Sequence, residues 1–139
     1  MFLLDTNVVS ELIRAAPDPR VVRWLDQQSG TDLWVSAIAA AEIRLGVALL
    51  PEGRRRRALV KHAAAIFDEE FAGRCVPFDL IASAEYAEIV ATRTRRGRPI
   101  ATEDAQIAAI ALSTGLTLVT RNVGDFQGIE RLAVFSPWR

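Results

Sequence analysis

The segment that most constrains the fold is the apolar run Phe2–Leu4, which leads into Asp5 without a polar break. A short, continuous apolar run of this kind is typical of a strand buried on both faces of a parallel sheet. Thr6 and Asn7 follow at once, and both residue types favour the start of a helix. An ionised carboxylate at the end of a buried strand needs a partner, because burying an unpaired charge is costly. The segment therefore predicts a central strand that ends in a functional acid.

Short apolar segments alternate with helical patterns along the rest of the chain. We expect further strands at residues 33–36, 74–78, 116–120 and 132–135, and helices at about 7–14, 19–28, 37–50, 52–73, 80–96 and 103–114. Strands that alternate with helices build a parallel sheet covered on both faces. We therefore predict an α/β fold with three layers, α/β/α, around a central, mainly parallel sheet of four to five strands. The length is that of a single domain, which we expect to span residues 1–139.

The composition excludes several kinds of chemistry. His62 is the only histidine and Cys75 the only cysteine among the 139 residues. One chain therefore cannot provide a two-histidine ribonuclease mechanism, an internal disulfide or a zinc-type cysteine cluster. Lys61 is the only lysine, which argues against a phosphate-loop nucleotidase. The absence of a G-x-S-x-G element argues against a Ser-His-Asp hydrolase. The charges balance at 17 basic and 17 acidic residues, which neither supports nor excludes a nucleic-acid partner.

The hydropathy pattern gives no sign of a membrane segment. No apolar stretch approaches the ~18 residues that a membrane-spanning helix needs. No basic segment precedes the first apolar residues, whereas a signal peptide has one. We therefore expect a soluble, cytoplasmic protein that does not use a membrane as a partner.

Four acidic residues occupy positions that a parallel sheet would bring together. Asp5 ends the first strand, and Asp125 follows the strand at 116–120. Asp104 lies in the first turn of a predicted helix, where the helix dipole favours an anion. Strand ends and the helix starts that follow them share one edge of a parallel sheet. We therefore expect these three acids to converge there, with Glu42 joining them from the Ala-rich helix after the second strand. We interpret the other acids, such as Glu11, as solvated surface charges.

Several carboxylates in one cleft repel each other, and their pKa values rise unless a cation compensates. Oxygen ligands without histidine or cysteine suit a hard cation such as Mg²⁺ or Mn²⁺. Two ions could activate water and stabilise displacement at a phosphate, whereas one ion would serve the first role alone. The alternative for Asp104 is that it only stabilises its helix through the dipole. No single motif here is specific by itself.

Taken together, four segments resemble the PIN-domain ribonucleases of the VapC toxin type, close to the FitB-like branch. The segments are LLDTNVVSEL at 3–12, SAIAAAEIRLGV at 36–47, TEDAQIAAIA at 102–111 and LVTRNVGDF at 118–126. The resemblance implies a PIN domain and covers the chain in the family's order.

The resemblance also implies roles for individual residues. Asp5, Glu42 and Asp104 match the principal metal-site acids, and Asp125 matches a fourth acid whose position varies within the family. Thr6 matches the small hydroxyl residue often found beside the first acid. Thr120 and Asn122 lie in the last matching segment, and we expect them to position water or phosphate.

A biological role follows from the same resemblance. Such proteins are toxins of type II toxin–antitoxin pairs that cut an RNA substrate endonucleolytically with Mg²⁺ or Mn²⁺, leaving 3′-hydroxyl and 5′-phosphate ends. A cognate VapB-type antitoxin holds them inactive. They are usually homodimers, and larger toxin–antitoxin assemblies are common among them.

Clusters of arginine are candidates for holding the RNA backbone, since a guanidinium binds phosphate through a planar, bidentate fork. One cluster starts the helix at 52–73, a second spans residues 93–98, and a further arginine adjoins the last acidic loop. The candidates are Arg54, Arg55, Arg56, Arg57, Arg95, Arg96 and Arg121. The alternative is a solvated helix face, but we expect at least one cluster to contact RNA.

Three alternative functions remain to be weighed. A haloacid-dehalogenase-like phosphatase also begins with an Asp after its first strand, but it needs a second Asp two residues later, where this chain has Asn7. A receiver domain has the right size but needs paired acids and a lysine that are missing here. A degenerate PIN domain would only bind RNA or a protein, and the intact acids at 5, 42 and 104 argue against it.

Overall fold

Five parallel strands form the centre of the molecule in a computed structural model that describes residues 1–139. They are β1 (Phe2–Leu4), β2 (Leu33–Ser36), β3 (Cys75–Val76), β4 (Thr117–Val119) and β5 (Val134–Phe135). Their order across the sheet is β3-β2-β1-β4-β5, and every neighbouring pair is parallel. The first strand of the chain is thus the central one, as its apolar sequence predicted. The predicted edge strand at 132–135 is also confirmed, although it is shorter.

Helices connect the strands and cover both faces of the sheet. They are α1 (Thr6–Glu11), α2 (Pro19–Asp26), α3 (Ala37–Ala48), α4 (Arg54–Ala65), α5 (Leu80–Arg95) and α6 (Thr102–Thr114). Short 3-10 turns lie at Gly30–Asp32 and Val123–Phe126. None of these helices combines the length and apolar character that a membrane crossing would require.

Two apolar clusters flank the sheet, because successive side chains of a strand point to opposite faces. Leu4 joins Val8, Val9 and Val35 on one face. Leu3 joins Leu118 and the buried side of α6 on the other. Both leucines of β1 are completely buried. The result is the predicted three-layer α/β/α arrangement, with β1 buried from both sides.

Two predictions about local structure are wrong. The helix predicted at 52–73 is α-helical only through Ala65, and a π-helical segment, Ile66–Glu70, follows it. Glu11 is not a solvated charge, because only 4% of it is exposed. Its carboxylate accepts hydrogen bonds from the Arg14 guanidinium and from the backbone N–H of Asp18, both at 2.9 Å. Glu11 therefore ties the end of α1 to the start of α2.

Candidate active site

Asp5 lies at the carboxyl end of β1, where it also caps α1. Its backbone N–H donates to the carbonyl of Val119 at 2.9 Å, which ties it to β4. Its Oδ1 accepts from the backbone N–H of Thr6 at 2.8 Å. Because Asp5 itself supplies this capping bond, α1 begins at Thr6 and not, as expected, after a cap at Thr6 or Asn7. Only 4% of Asp5 is exposed, so the strand and the helix cap together hold its carboxylate almost completely shielded from solvent.

The surroundings of Asp5 oppose its ionisation and partly compensate for it. Burial raises the pKa of its carboxyl group above the ordinary value of 3.8, and the charge of Asp125 raises it further. Hydrogen bonds from Thr120 and Thr6 act in the opposite direction, because they stabilise the charged form. The carboxylate of Asp5 is therefore oriented by the donors of Thr6 and Thr120, while the charge of Asp125 still repels it.

Glu42 reaches the same place from α3. Ser36 caps this helix by accepting from the backbone N–H of Ala39 at 3.0 Å, so α3 starts directly after β2. The hydroxyl of Thr6 donates to Glu42 Oε1 at 2.6 Å. Thr6 thus binds Asp5 through its backbone and, 36 residues away in sequence, Glu42 through its side chain, and it links the two acids.

Asp104 shows most clearly that the acids converge. It lies in the first turn of α6 and is half-buried. Its pKa is raised from 3.8 to about 6, mainly by burial and further by repulsion from Asp5, Asp125 and Glu42. A smaller contribution comes from Glu103 in the same turn. The structure thus brings all four predicted acids into one electrostatic neighbourhood at the carboxyl edge of the sheet.

The four acids lie at one edge of the sheet, a region that we call the acidic cleft, without forming a complete set of metal ligands. No group of three or more Asp, Glu, His or Cys side chains is arranged closely enough to hold a metal ion. The donors are nevertheless all carboxylate oxygens, and after burial, which is the larger effect, the charges of neighbouring acids also raise the pKa values of Asp5 and Asp104. A cation that entered the cleft would relieve this repulsion, so the donor chemistry fits a hard divalent ion.

Thr120 orients Asp5 from the neighbouring strand. It is completely buried directly after β4, and its Oγ1 donates to Asp5 Oδ2 at 2.7 Å. The same oxygen accepts from the backbone N–H of Asn122 at 3.1 Å. Thr120 and Asn122 therefore lie where the sequence placed them. The Thr120 hydroxyl contacts Asp5 directly, whereas the backbone N–H of Asn122 contacts only the Thr120 hydroxyl.

Asn7 belongs to this network, although the sequence reasoning did not assign it a role in the site. Its Oδ1 accepts from the backbone N–H of Arg121 at 3.1 Å. Its Nδ2 lies 3.4 Å from both Asp5 Oδ2 and Thr120 Oγ1. Its position two residues after the strand-end Asp was the only signal in the sequence. Asn7 ties the loop after β4 to the end of β1.

Asp125 approaches from an exposed turn. It lies in the Val123–Phe126 turn, and the buried Phe126 anchors this turn in the core. The charge of Asp125 contributes to the raised pKa values of both Asp5 and Asp104. Its backbone carbonyl accepts a hydrogen bond from Arg93 at 3.1 Å. Asp125 is therefore the one acid of the four whose position depends on a loop.

The arginine candidates differ in their surroundings. The guanidinium of Arg121 is exposed and lies over the ring of Trp138, 5.5 Å from its centroid. Residues Arg54–Arg57 form the first turn of α4, and their single ion pair joins Arg56 to the exposed Glu52 at 4.0 Å. Arg95 and Arg96 are exposed at the end of α5. Arg93 departs from the expected basic cluster, because only 7% of it is exposed and it bonds to backbone carbonyls.

Comparison with known proteins relates the whole chain to one family. A profile described as PIN domain matches residues 2–132, a range that includes all four acids. Toxin FitB of Neisseria gonorrhoeae is 45% identical over 138 residues, with 99% of each chain covered. VapC ribonuclease Y4jK of Sinorhizobium fredii is 40% identical over 138 residues, covering 99% of this chain and 98% of the relative.

A solved structure extends the likeness to three dimensions. A chain in the structure of FitAB bound to the IR36 DNA fragment superposes with a TM-score of 0.92 at 44% identity. The superposition covers 100% of this chain and 96% of that chain. The order of elements around the acidic cleft is therefore that of a known architecture.

Proposed function

The chain belongs to the PIN domain family, and we propose that it is a metal-dependent endoribonuclease, the toxin of a type II toxin–antitoxin pair. The observation that carries this proposal is the convergence of Asp5, Glu42, Asp104 and Asp125 at the carboxyl edge of the sheet, where the charges of the other three acids add to the effect of burial on the pKa of Asp104. Relatives named as a toxin and as a ribonuclease, matched over nearly their full lengths, support the same activity. Membership of the family leaves the phosphatase and receiver-domain alternatives without support.

The four acids are the residues that would hold the cation, and Mg²⁺ or Mn²⁺ suits their oxygen donors. A divalent ion bound to such ligands makes a water molecule more acidic and neutralises charge at a phosphate. We expect the cation to bind here because its charge offsets the repulsion that contributes to the raised pKa of Asp104.

The surrounding residues act by fixing the carboxylates. Thr6 and Thr120 each hydrogen-bond to Asp5, on Oδ1 and Oδ2 respectively, and Thr6 also holds Glu42. Hydrogen bonds to carboxylates that bind a metal orient these carboxylates in advance, so that they need to reorganise less when the substrate binds. Hydrolysis adds water to the phosphorus and breaks the P–O3′ bond. The products are a 3′-hydroxyl end and a 5′-phosphate end.

The RNA backbone is held by exposed arginines in this proposal. Arg121 is the best placed, because its backbone bonds to Asn7 and its guanidinium rests on Trp138. Stacking on an aromatic ring leaves the edge of the guanidinium free to bind phosphate. Arg54, Arg55, Arg57, Arg95 and Arg96 are exposed and Arg56 is partly buried, and together they would extend the contact along the RNA.

The protein partners follow from the same reasoning. We propose that a VapB-type antitoxin inhibits the enzyme, since a relative has been solved as FitAB on DNA. We also propose that residues 1–139 form a single domain that acts as a homodimer, alone or within a larger toxin–antitoxin assembly.

Cleavage of total RNA with mapped ends tests the activity. Wild-type protein with Mg²⁺ or Mn²⁺ should cut RNA internally, and Asp5→Asn should abolish cutting because it removes a charged ligand while keeping the side-chain shape. Asp26→Asn is the matched control, since Asp26 is exposed at the end of α2. Full activity in Asp5→Asn, or cutting that persists in excess EDTA, would overturn the proposal.

A further inference from the structure

Arg93 is a buried cation without an acidic partner. It lies in the last turn of α5 and is 7% exposed, yet it takes part in none of the ion pairs of the structure. Its Nε donates to the carbonyl of Arg98 at 2.8 Å, and its Nη1 donates to the carbonyl of Asp125 at 3.1 Å. Buried charges are normally paired, because desolvation of an ion is costly. Because the Arg93 guanidinium bonds to two backbone carbonyls and to no acid, we infer that it holds two parts of the backbone in position.

The two carbonyls belong to different parts of the fold. Arg98 closes the turn after α5, and its own N–H returns to the carbonyl of Arg93 at 2.9 Å. Gly97 makes this turn possible, because it adopts a left-handed conformation with φ of +68°. Asp125 lies far along the chain in the Val123–Phe126 turn. The planar fork of Arg93 thus joins the end of α5 to the turn that carries an acid of the cleft.

The hydrogen bond from Arg93 to Asp125, which we call the Arg93 tether, also affects how Asp125 is placed relative to Asp104. Helix α5 packs along α6, and α6 presents Asp104 in its first turn. Asp104 is therefore fixed by a packed pair of helices, whereas Asp125 lies on an exposed turn that contacts α6 and β5 and is hydrogen-bonded to α5 through the Arg93 guanidinium. Within the turn, the N–H of Asp125 donates to the Asn122 carbonyl at 3.0 Å and the N–H of Gln127 donates to the Gly124 carbonyl at 3.4 Å, while Phe126 is buried in the core.

We propose that Arg93 is a positioning residue that sets the separation of Asp125 from Asp104 and so tunes the affinity of the cleft for a divalent cation. The inference rests on the proposed function, since it assigns Asp125 to the metal site. Arg93 touches neither the cation nor the substrate; it acts through the backbone of Asp125. Lysine could not replace it fully, because a single ammonium lacks the rigid fork that reaches both carbonyls.

A second tether on the same loop offers a matched control. Arg131 forms an ion pair with Glu85 of α5 at 2.9 Å, and it lies six residues beyond Asp125. This pair is partly solvated and does not bond to the Asp125 turn. Arg131→Met therefore removes an arginine tether between α5 and the C-terminal loop while leaving the Arg93 bonds in place.

Calorimetric titration of the metal-free full-length chain with Mn²⁺ tests the inference. Arg93→Met should weaken Mn²⁺ binding about 10- to 100-fold, the range typical when a residue that orients a ligand is lost. Arg131→Met should stay within about twofold of wild type. Amide exchange without metal should also accelerate at residues 123–127 in Arg93→Met only, a change that does not depend on catalysis.

The outcomes separate this inference from the activity itself. Wild-type affinity in Arg93→Met, or equal losses in the two variants, would overturn the positioning role while leaving the nuclease proposal intact. If Arg93→Met does not fold, Arg93→Lys decides: an intermediate loss of Mn²⁺ affinity supports the role, and wild-type affinity refutes it. A wild-type chain that binds no Mn²⁺ would contradict the proposed function and this inference together.

Discussion

Replacing Asp104 by asparagine should stabilise the metal-free protein, although it removes a functional group. The pKa of Asp104 is raised from 3.8 to about 6 on folding, first by burial and then by the charges of Asp5, Asp125 and Glu42. The stability that this group contributes is therefore complete below its unfolded pKa of 3.8. That stability is lost as the pH rises from there through about 6, the pKa in the folded state. At pH 8 the wild-type protein carries the whole penalty of ionised Asp104, and Asp104→Asn escapes it.

The size of the effect can be worked out from the same values. A rise from 3.8 to about 6 corresponds to about 3 kcal/mol for a group shielded from solvent, at about 1.4 kcal/mol for each tenfold change. Asp104 is only half-buried, so solvent screening reduces this to about 1–2 kcal/mol. Loss of an acid from the first turn of α6 subtracts about 0.3–1 kcal/mol. We expect a net gain of about 1 kcal/mol in the free energy of unfolding, or about 3–5 °C in Tm.

Urea denaturation in EDTA at pH 8 and at pH 4 measures this difference. Asp104→Asn should exceed wild type at pH 8, and the gap should close near pH 4, where wild-type Asp104 is protonated. Glu103→Gln is the control, because it removes the same charge from the same helical turn but from an exposed position. It should be neutral or slightly destabilising at both pH values. If Asp104→Asn is less stable than wild type at pH 8, the acids do not repel each other as the structure indicates.

Other perturbations test the neighbouring parts of the account. Mn²⁺ at about 100 times its dissociation constant should stabilise the wild type by about 2.7 kcal/mol in thermal unfolding, and Asp5→Asn should abolish that shift. Thr120→Val should cost about 1–3 kcal/mol in urea denaturation and lower the rate of RNA cleavage, because Asp5 Oδ2 loses its 2.7 Å donor. Changing Arg54–Arg57 together to glutamine should weaken RNA binding and flatten its dependence on salt; an unchanged slope would identify that turn as a solvated face.

The sheet and most helix positions could be predicted from the sequence because their signals are local. Phe2–Leu4 is short, apolar and followed by capping residues, so both its strand and its central place follow from neighbouring positions. The convergence of the acids follows from topology alone, since parallel strands end at a common edge. For this reason the common location of Asp5, Glu42 and Asp104 could be predicted without knowing any side-chain contact.

Contacts between distant residues could not be predicted in this way. Glu11 is buried because the backbone of Asp18, seven residues later, turns back onto it. Arg93 is buried because the Asp125 turn, 32 residues later, covers it. Asn7 meets Thr120 across 113 residues. In each case a polar residue on a helix has the sequence pattern of a solvated one, and only the folded chain supplies its partner.

The central claim is that the crowded acids at the end of β1 form a divalent-cation site. An anomalous difference map from a crystal of the full-length protein grown with Mn²⁺ tests it most directly. We expect one or two peaks in the cleft, bonded to the carboxylates of Asp5 and Asp104. A cleft without a peak, at a Mn²⁺ concentration that supports RNA cleavage in solution, would contradict it.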